Sequence, residues 1–434
     1  MSSEQLADGV NPLDAELAAT WDILKGYSGR NTDLGIARRF GGATAAYSLR
    51  DIGAMNGRVV KVRRDSDDTE EDFSAAQIAS GALETFVQAG TTYGETNATA
   101  FSFSGERSGG TTSSNGIDGF TLDVETASAF AGYQLSSTVS SGTNVYVSFN
   151  ASLSEGSGAA SPQVKLRSSS ISGSTASNTY DVIEGFNSFE LTSNDNAAEY
   201  FSFSEGDDNK IFTISDVKVS LTSRNGFVKT WYDQSDSGND ATQATAGNQP
   251  SIVKNGGLCK SNGSPSVFFT GDTRDDELDF TDLTLTDATI FTVVNIDASA
   301  DQQIIIGGST STSTGAMIPM MDNGSSTTQV YKNSTVGGAE QGSSQFKNGA
   351  QITLANRNDA FDNLAVNTQL LFTMVDVDVA EAKVLDGISR TPSDATTFHL
   401  QGQMNELIIY NSDLSSDRGT LESEIANFYN ITLS

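Results

Sequence analysis

The chain of 434 residues contains one cysteine, Cys259, and one histidine, His399. A lone thiol closes no intrachain disulfide, and one Cys with one His cannot complete a four-ligand zinc site. Cys259 is therefore expected to be a small buried residue, and no oxidising compartment is implied. His399 lies in Thr396-Thr-Phe-His-Leu-Gln with no nucleophile elbow nearby, which leaves a Ser-His-Asp triad without its base. Proline is scarce at six residues, and no stretch approaches the roughly 18 apolar residues of a membrane span. Basic charge is short as well: 25 Lys and Arg face 55 Asp and Glu, a formal net charge of −30. Such a surface repels phosphate backbones and anionic headgroups, so neither nucleic acid nor membrane insertion is expected. The opening Met-Ser-Ser-Glu-Gln-Leu-Ala-Asp-Gly has neither a basic nor an apolar leader region, so the expected site of synthesis and folding is a cytosol.

What the chain has is 41 glycines, abundant Ser, Thr and Asn, and many short alternating apolar segments. That pattern gives short strands joined by polar turns, an all-β fold. The length exceeds what one hydrophobic core holds, and two domains with an appended segment are expected. At the start, Asn11 caps a helix over 11–25, Pro12 takes its first position and Gly26 ends it. Leu13, Leu17, Trp21 and Leu24 fall on one face of that helix. A connector carrying Arg30, Arg38 and Arg39 follows. Residues 1–40 are thus the expected attachment or oligomerisation element.

A strand at Val59, Val60 and Val62 leads to an acidic loop, Asp65 to Asp72. A second helix is expected over Phe73 to Gln88, with Ile78, Ala82, Leu83, Phe86 and Val87 on one face. A Ser/Gly/Thr-rich stretch, 102–116, is expected to be a flexible or looped lead-in to the next segment. That segment has about seven alternating strands between Phe120 and Val219, in jelly-roll style. Further strands are expected at Ser266–Phe269, Thr289–Val294, Gln303–Ile306, Gln369–Asp376 and Glu406–Tyr410. A closing helix over Ser416 to Tyr429 would bury Leu421, Ile425 and Phe428.

Two motifs carry a resemblance. Tyr47-Ser-Leu-Arg50 runs into Val60-Lys-Val-Arg-Arg-Asp-Ser-Asp67, and Thr230-Trp-Tyr-Asp-Gln-Ser-Asp-Ser-Gly-Asn-Asp-Ala-Thr-Gln243 follows far downstream. Together they resemble the core of the α-L-arabinofuranosidase B catalytic domain, a concanavalin A-like β-sandwich whose relatives recur in structural proteins of tailed bacteriophages. The resemblance covers roughly 36–90 and 226–434. In simpler relatives the two motifs are nearly contiguous. It therefore implies a concanavalin A-like sandwich split into 41–94 and 224–434, with 95–223 inserted as a second β-sandwich similar to carbohydrate-binding modules. Insertion is tolerated where a domain's ends lie close together. The furanosidase nucleophile lies in a signature with adjacent cysteines, which this chain lacks, so no catalytic residue is carried over. The matching residues, Arg63, Arg64, Asp67, Trp231, Tyr232, Asp233 and Gln234, are expected to define the fold.

A retaining glycosidase needs two carboxyl groups about 5 Å apart, and nothing in the sequence selects such a pair. Calcium is the one metal worth weighing. Asp233, Asp236, Asn239 and Asp240 form one oxygen-rich loop, and Asp272, Asp275, Asp276, Glu277 and Asp279 another. Asx turns on an acidic surface account for both, so no cofactor is expected. Candidate sugar platforms are Trp231, Tyr232, Tyr133, Tyr146, Tyr180 and Phe186, each expected to be core first. The function expected is that of a phage virion structural protein, a decoration, head-fibre or tail-appendage subunit assembled in the host cytoplasm. Its expected partners are other virion proteins, further copies of itself and a host-surface glycan. The alternative is a bacterial glycan-binding protein or arabinofuranosidase-like hydrolase.

Overall fold

The computed structural model describes residues 35–53, 57–89, 102–106, 110–114, 119–124, 129–154, 162–205, 210–271, 276–299, 302–308, 316–324, 330, 344–379, 384–391 and 398–434. The expected N-terminal helix, with Leu13, Leu17, Trp21 and Leu24, lies outside the described residues, as do Arg30, Asp272 and Asp275. The chain is all-β, in antiparallel sheets.

The first sandwich is organised around the strand Gln401–Tyr410, which is buried without alternation from Met404 to Tyr410. Both of its faces are covered, so both must be apolar. One edge pairs with Leu285–Ile296, which pairs in turn with Leu370–Val379 and then Ser344–Lys347. The other edge is shared end to end: Ala45–Ser48 takes residues 406–409 and Val267–Thr270 takes residues 401–404. The second sheet runs from Glu70–Ser74 through Arg58–Arg64 to Gly226–Trp231. It continues through Ala241–Thr242, Leu278–Asp279, Gly387–Ile388 and Gln302–Gly307 to Met317–Asp322. Ser251–Lys254 pairs with strands of both sheets and links them. Tyr47, Val60, Val62, Trp231, Phe269, Ile290, Phe372 and Leu407 fill the space between the sheets.

The outer face of the first sheet carries Phe291, Val293, Leu371, Ile408 and Tyr410, covered by Ile36, Ala37 and the helix Arg418–Tyr429. Leu421, Ile425 and Tyr429 recur every four residues and face inward, each worth roughly 1.5–3 kcal/mol of burial. Phe428, expected in that stripe, is instead 49% exposed, because it sits about 100° off the i, i+4, i+8 line.

The expected helix over Phe73 to Gln88 is corrected in two ways. Phe73 belongs to the strand Glu70–Ser74, which also takes the end of the expected acidic loop, and the helix is two pieces, Ala75–Ala79 and Ala82–Ala89. Ser74 and Gln77 form a reciprocal capping box at 3.3 and 2.9 Å. Gly81, at φ 78, breaks the run.

Residues 102–220 form two five-stranded sheets packed face to face. The first orders Tyr180–Asp181, Gln163–Ser168, Ala198–Glu205, Ala129–Val139 and Ser102–Glu106. The second orders Gly185–Thr192, Asn144–Leu153, Lys210–Ser220, Phe120–Val124 and Gly110–Ser114. Between them lies an aromatic core, with Phe149 edge-on to Phe203 at 4.9 Å and Phe203 at 5.2 Å from Phe120. The stretch expected as a looped lead-in carries two edge strands, Ser102–Glu106 and Gly110–Ser114. Their Ser-, Gly- and Thr-rich sequences lack the apolar alternation that marks a strand, so composition disguised them.

The two sandwiches meet at a hairpin turn. Asn255 and Gly256, at φ 49 and 84, connect Ser251–Lys254 to Gly257–Leu258 in the left-handed geometry that Asn-Gly favours. Asn255 donates from Nδ2 to Ser188 Oγ at 3.0 Å and to the Phe189 carbonyl at 3.1 Å, while its own carbonyl accepts from Ser148 Oγ at 3.2 Å. A Cβ on Gly257 would lie 2.4 Å from Ser148 Oγ, so only glycine allows the approach. Lys260 adds an ion pair to Asp216 at 2.8 Å.

Because 102–220 has its own aromatic core, residues 95–223 are expected to unfold cooperatively when expressed alone. The first sandwich is expected to do so with that segment replaced by a short Gly/Ser linker. Thermal melts followed by circular dichroism check both, and broad, non-cooperative melts for both would contradict the division.

Candidate functional site

The two motifs meet in space. Asp233 has a carboxylate with four donors: Oδ1 accepts from the Ala46 and Ser235 amides, both at 2.9 Å, and Oδ2 accepts from Ser235 Oγ at 2.8 Å and the Asn239 amide at 3.0 Å. Gln234 uses both ends of its amide. Its Oε1 accepts from the Ile52 amide at 2.8 Å and the Gly53 amide at 3.3 Å, and its Nε2 donates to the carbonyls of Ser48 at 2.8 Å and Arg50 at 3.1 Å. The bonds to Ala46, Ser48, Arg50, Ile52 and Gly53 join residues 181 to 187 positions apart. Trp231 is fully buried beside Tyr47 at 6.0 Å, and burial together with Asp233 and Asp240 raises the Tyr47 pKa. Tyr232 donates to Asp72 Oδ1 at 2.7 Å under the Arg58 guanidinium, 4.2 Å from its ring.

The arginines are equally engaged. Arg63 donates from Nε to Gln249 Oε1 at 2.8 Å and from Nη1 to Asp68 at 2.7 Å. Arg64 grips Asp67 bidentately at 2.7 and 2.6 Å and donates to the Phe86 carbonyl at 3.1 Å. That grip holds the exposed Asp67 carboxyl well below its ordinary range. Arg50 grips the buried Glu406 bidentately at 2.8 and 2.9 Å, and Tyr429 donates to the same carboxylate at 3.1 Å. Phe428, off the buried stripe of its helix, lies under the Arg50 guanidinium at 4.3 Å. Arg38 and Arg39, expected as part of a basic attachment patch, pair instead with Asp236 and Glu424 of the first sandwich.

In the oxygen-rich loop at Asp233, Asp240 accepts from the Asp233 amide at 3.0 Å, Asn239 donates to the Thr44 carbonyl at 2.7 Å, and the exposed Asp236 pairs with Arg38. In the second loop, Asp276 accepts from the Thr270 amide at 2.9 Å and Asp279 pairs with Arg390. The structure gathers a different acidic group, Asp287, Asp376 and Asp378, with carboxylate oxygens within 4.8 Å of one another. The first two sit at φ 51 and 61. Sequence spacing could not pair them, since adjacent strands bring them together. Desolvation and repulsion from Asp378 and Asp376 raise the Asp287 pKa. Of the expected platforms, Trp231, Tyr133, Tyr232 and Phe186 are buried, and Tyr146 and Tyr180 are half-buried. Tyr180 stacks on Phe189 at 4.8 Å. Cys259 is buried, its thiol pushed up to about 12, and His399 is buried with Nδ1 at 2.9 Å from the Ser389 carbonyl.

No protein-family model matches the chain, and no curated protein matches it. Among solved structures it is similar to family 29 carbohydrate-binding modules. One mutant module is 13% identical with a TM-score of 0.22, the match covering 28% of this chain and 82% of that one. Another, complexed with mannohexaose, is 11% identical with a TM-score of 0.23, covering 30% of this chain and 92% of that one. Likenesses of this size carry no argument about ligand or activity.

Two outcomes are expected. Gln234→Ala removes four bonds from a closed site and should cost about 2–4 kcal/mol in chemical denaturation. Asp287→Asn should raise the melting temperature, since Asn tolerates a left-handed backbone and carries no charge. A raised carboxyl pKa subtracts stability above the folded value. The gain should therefore fade as pH falls through that value toward the ordinary 3.8.

Proposed function

We propose that the chain is a non-catalytic virion structural subunit, a decoration, head-fibre or tail-appendage protein, that displays two β-sandwiches for glycan or host-surface binding. The observation that carries the non-catalytic part is the engagement of the shared motifs. Asp233, Gln234, Arg63, Arg64 and Asp67 direct their polar groups at backbone and at one another. A general acid and a nucleophile need one proton-bearing and one ionised carboxyl facing a substrate, whereas the Asp233 carboxylate faces the protein and the exposed Asp67 carboxylate is gripped by Arg64. The virion context is supported by the resemblance of the same motifs to the sandwich core of tailed-phage structural proteins. Rigid sandwiches then serve as platforms whose many weak contacts add through copy number.

The attachment element narrows to residues before 35. Ile36 and Ala37 are buried, and the Ile36 carbonyl accepts from the Tyr410 hydroxyl. Deleting 1–34 is expected to leave both sandwiches folded and to abolish co-purification with intact particles, with Trp21→Ala giving a partial loss. Quantitative mass spectrometry of purified particles measures this. Retention of the truncated protein on particles would place attachment elsewhere. Turnover of aryl arabinofuranosides that a single Asp or Glu substitution abolishes would overturn the non-catalytic assignment.

A further inference from the structure

With 55 acidic and 25 basic residues, cations on this chain find carboxylates easily: Arg50 with Glu406, Arg63 with Asp68, Arg64 with Asp67, Lys229 with Glu70. Among the described residues, Lys165 and Arg167 have no such partner. They occupy alternate positions of the strand Gln163–Ser168, and each is 8% exposed. Val164 and Leu166, which alternate with them, belong to the aromatic core, so the two cations share the outer face of that sheet. Lys165 Nζ donates to Gln163 Oε1 at 3.0 Å. Arg167 donates from Nη1 to the Gly173 carbonyl, and its Nε is buried without a partner.

Register shows what surrounds them. Arg167 lies opposite Tyr200, which lies opposite Gln134, and Lys165 lies opposite Ser202, which lies opposite Gly132. Ser202 and Gly132 are small, and the fully buried Ile171 fills the space above them. Across the face the Arg167 guanidinium reaches to 4.8 Å from the Phe130 ring. The chain beyond this strand folds back as a strap, with Arg167 bridged to Thr175. It seats Ile171 on the face, where Ser202 Oγ donates to its carbonyl at 2.9 Å. The strap thus fixes the guanidinium from one side.

Two neighbouring cations this deeply desolvated repel each other, and both pKa values are lowered by burial, that of Lys165 further by Arg167. The carboxylate near Lys165, Asp181, is exposed and accepts from Gln163 Nε2 at 3.2 Å. An anion between Lys165 and Arg167 would relieve the repulsion and gain charge-assisted hydrogen bonds. The half-buried rings of Phe130 and Tyr200 on the same face suit the apolar side of a sugar. We propose that this face binds a saccharide carrying a carboxylate, held by Lys165 and Arg167 with Phe130 and Tyr200 against the ring. The proposal rests on the display reading above and names the ligand class. A net charge of −30 repels dense polyanions, so the ligand's carboxylates are sparse.

The test is isothermal titration of the full chain with a glucuronosyl xylotriose, its methyl ester, and neutral xylotriose. The acid is expected to bind about tenfold or more tightly than the other two. Arg167→Gln and Lys165→Gln should each remove that preference without lowering the melting temperature, Arg167→Lys should keep part of it, and Lys347→Gln should leave it intact. Equal binding of acid and ester, no binding of the acid, or a preference that survives both Gln variants overturns the proposal. Because particle association is measured separately, none of these results touches the virion assignment.

Discussion

The first sandwich depends on Asp233 and Gln234. Two consecutive side chains accept or donate eight hydrogen bonds, and most of these reach backbone groups of Ala46 to Gly53. Without them, Ala45–Ser48 would still pair with Gln401–Tyr410, but its other side would expose backbone groups beside the core. An unmet buried amide or carbonyl costs about 1–3 kcal/mol, so the pair does at one point what a ladder strand would do along an edge. The same pair positions Trp231 and Tyr47 against each other. Arg50, at the end of the first motif, extends the arrangement to Glu406 and Tyr429, and so to the closing helix.

That arrangement also explains how a second sandwich can interrupt the first. Loop-closure entropy grows only as the logarithm of loop length, so separating the motifs by an additional domain adds little once the inserted segment folds on its own core. The cost falls on orientation instead. The Asn255-Gly256 turn meets it by hydrogen-bonding to Ser148, Ser188 and Phe189 of the insert, and Asp65 accepts from Ser223 Oγ at 3.2 Å at the chain's return. Burial at this junction raises the Asp65 pKa despite those bonds. The junction is therefore polar and directional, suited to holding one orientation.

Strand-forming segments were legible because apolar alternation is local, and the expected strands at Val145–Phe149, Glu199–Phe203 and Thr289–Val294 all fall within observed ones. The two motifs were legible as one unit because their residues are contiguous within each half. What escaped the sequence was non-local. The edge strands at 102–106 and 110–114 carry no apolar alternation, and the contact of Phe428 with Arg50 spans 378 positions. Asp287, Asp376 and Asp378 converge only through strand pairing. Lys165 and Arg167 looked like ordinary strand residues, since only the folded sheet shows that no carboxylate among the described residues pairs with them.

The central claim is that the two motifs hold the two halves of the first sandwich together. Native-state hydrogen exchange on the amides of Ala46, Ile52, Ser235 and Asn239 tests it most directly. The account predicts that all four exchange only through global unfolding, with the same free energy and denaturant dependence as the central amides of Gln401–Tyr410. Exchange of these amides by local opening, while the strand Gln401–Tyr410 stays protected, would contradict it.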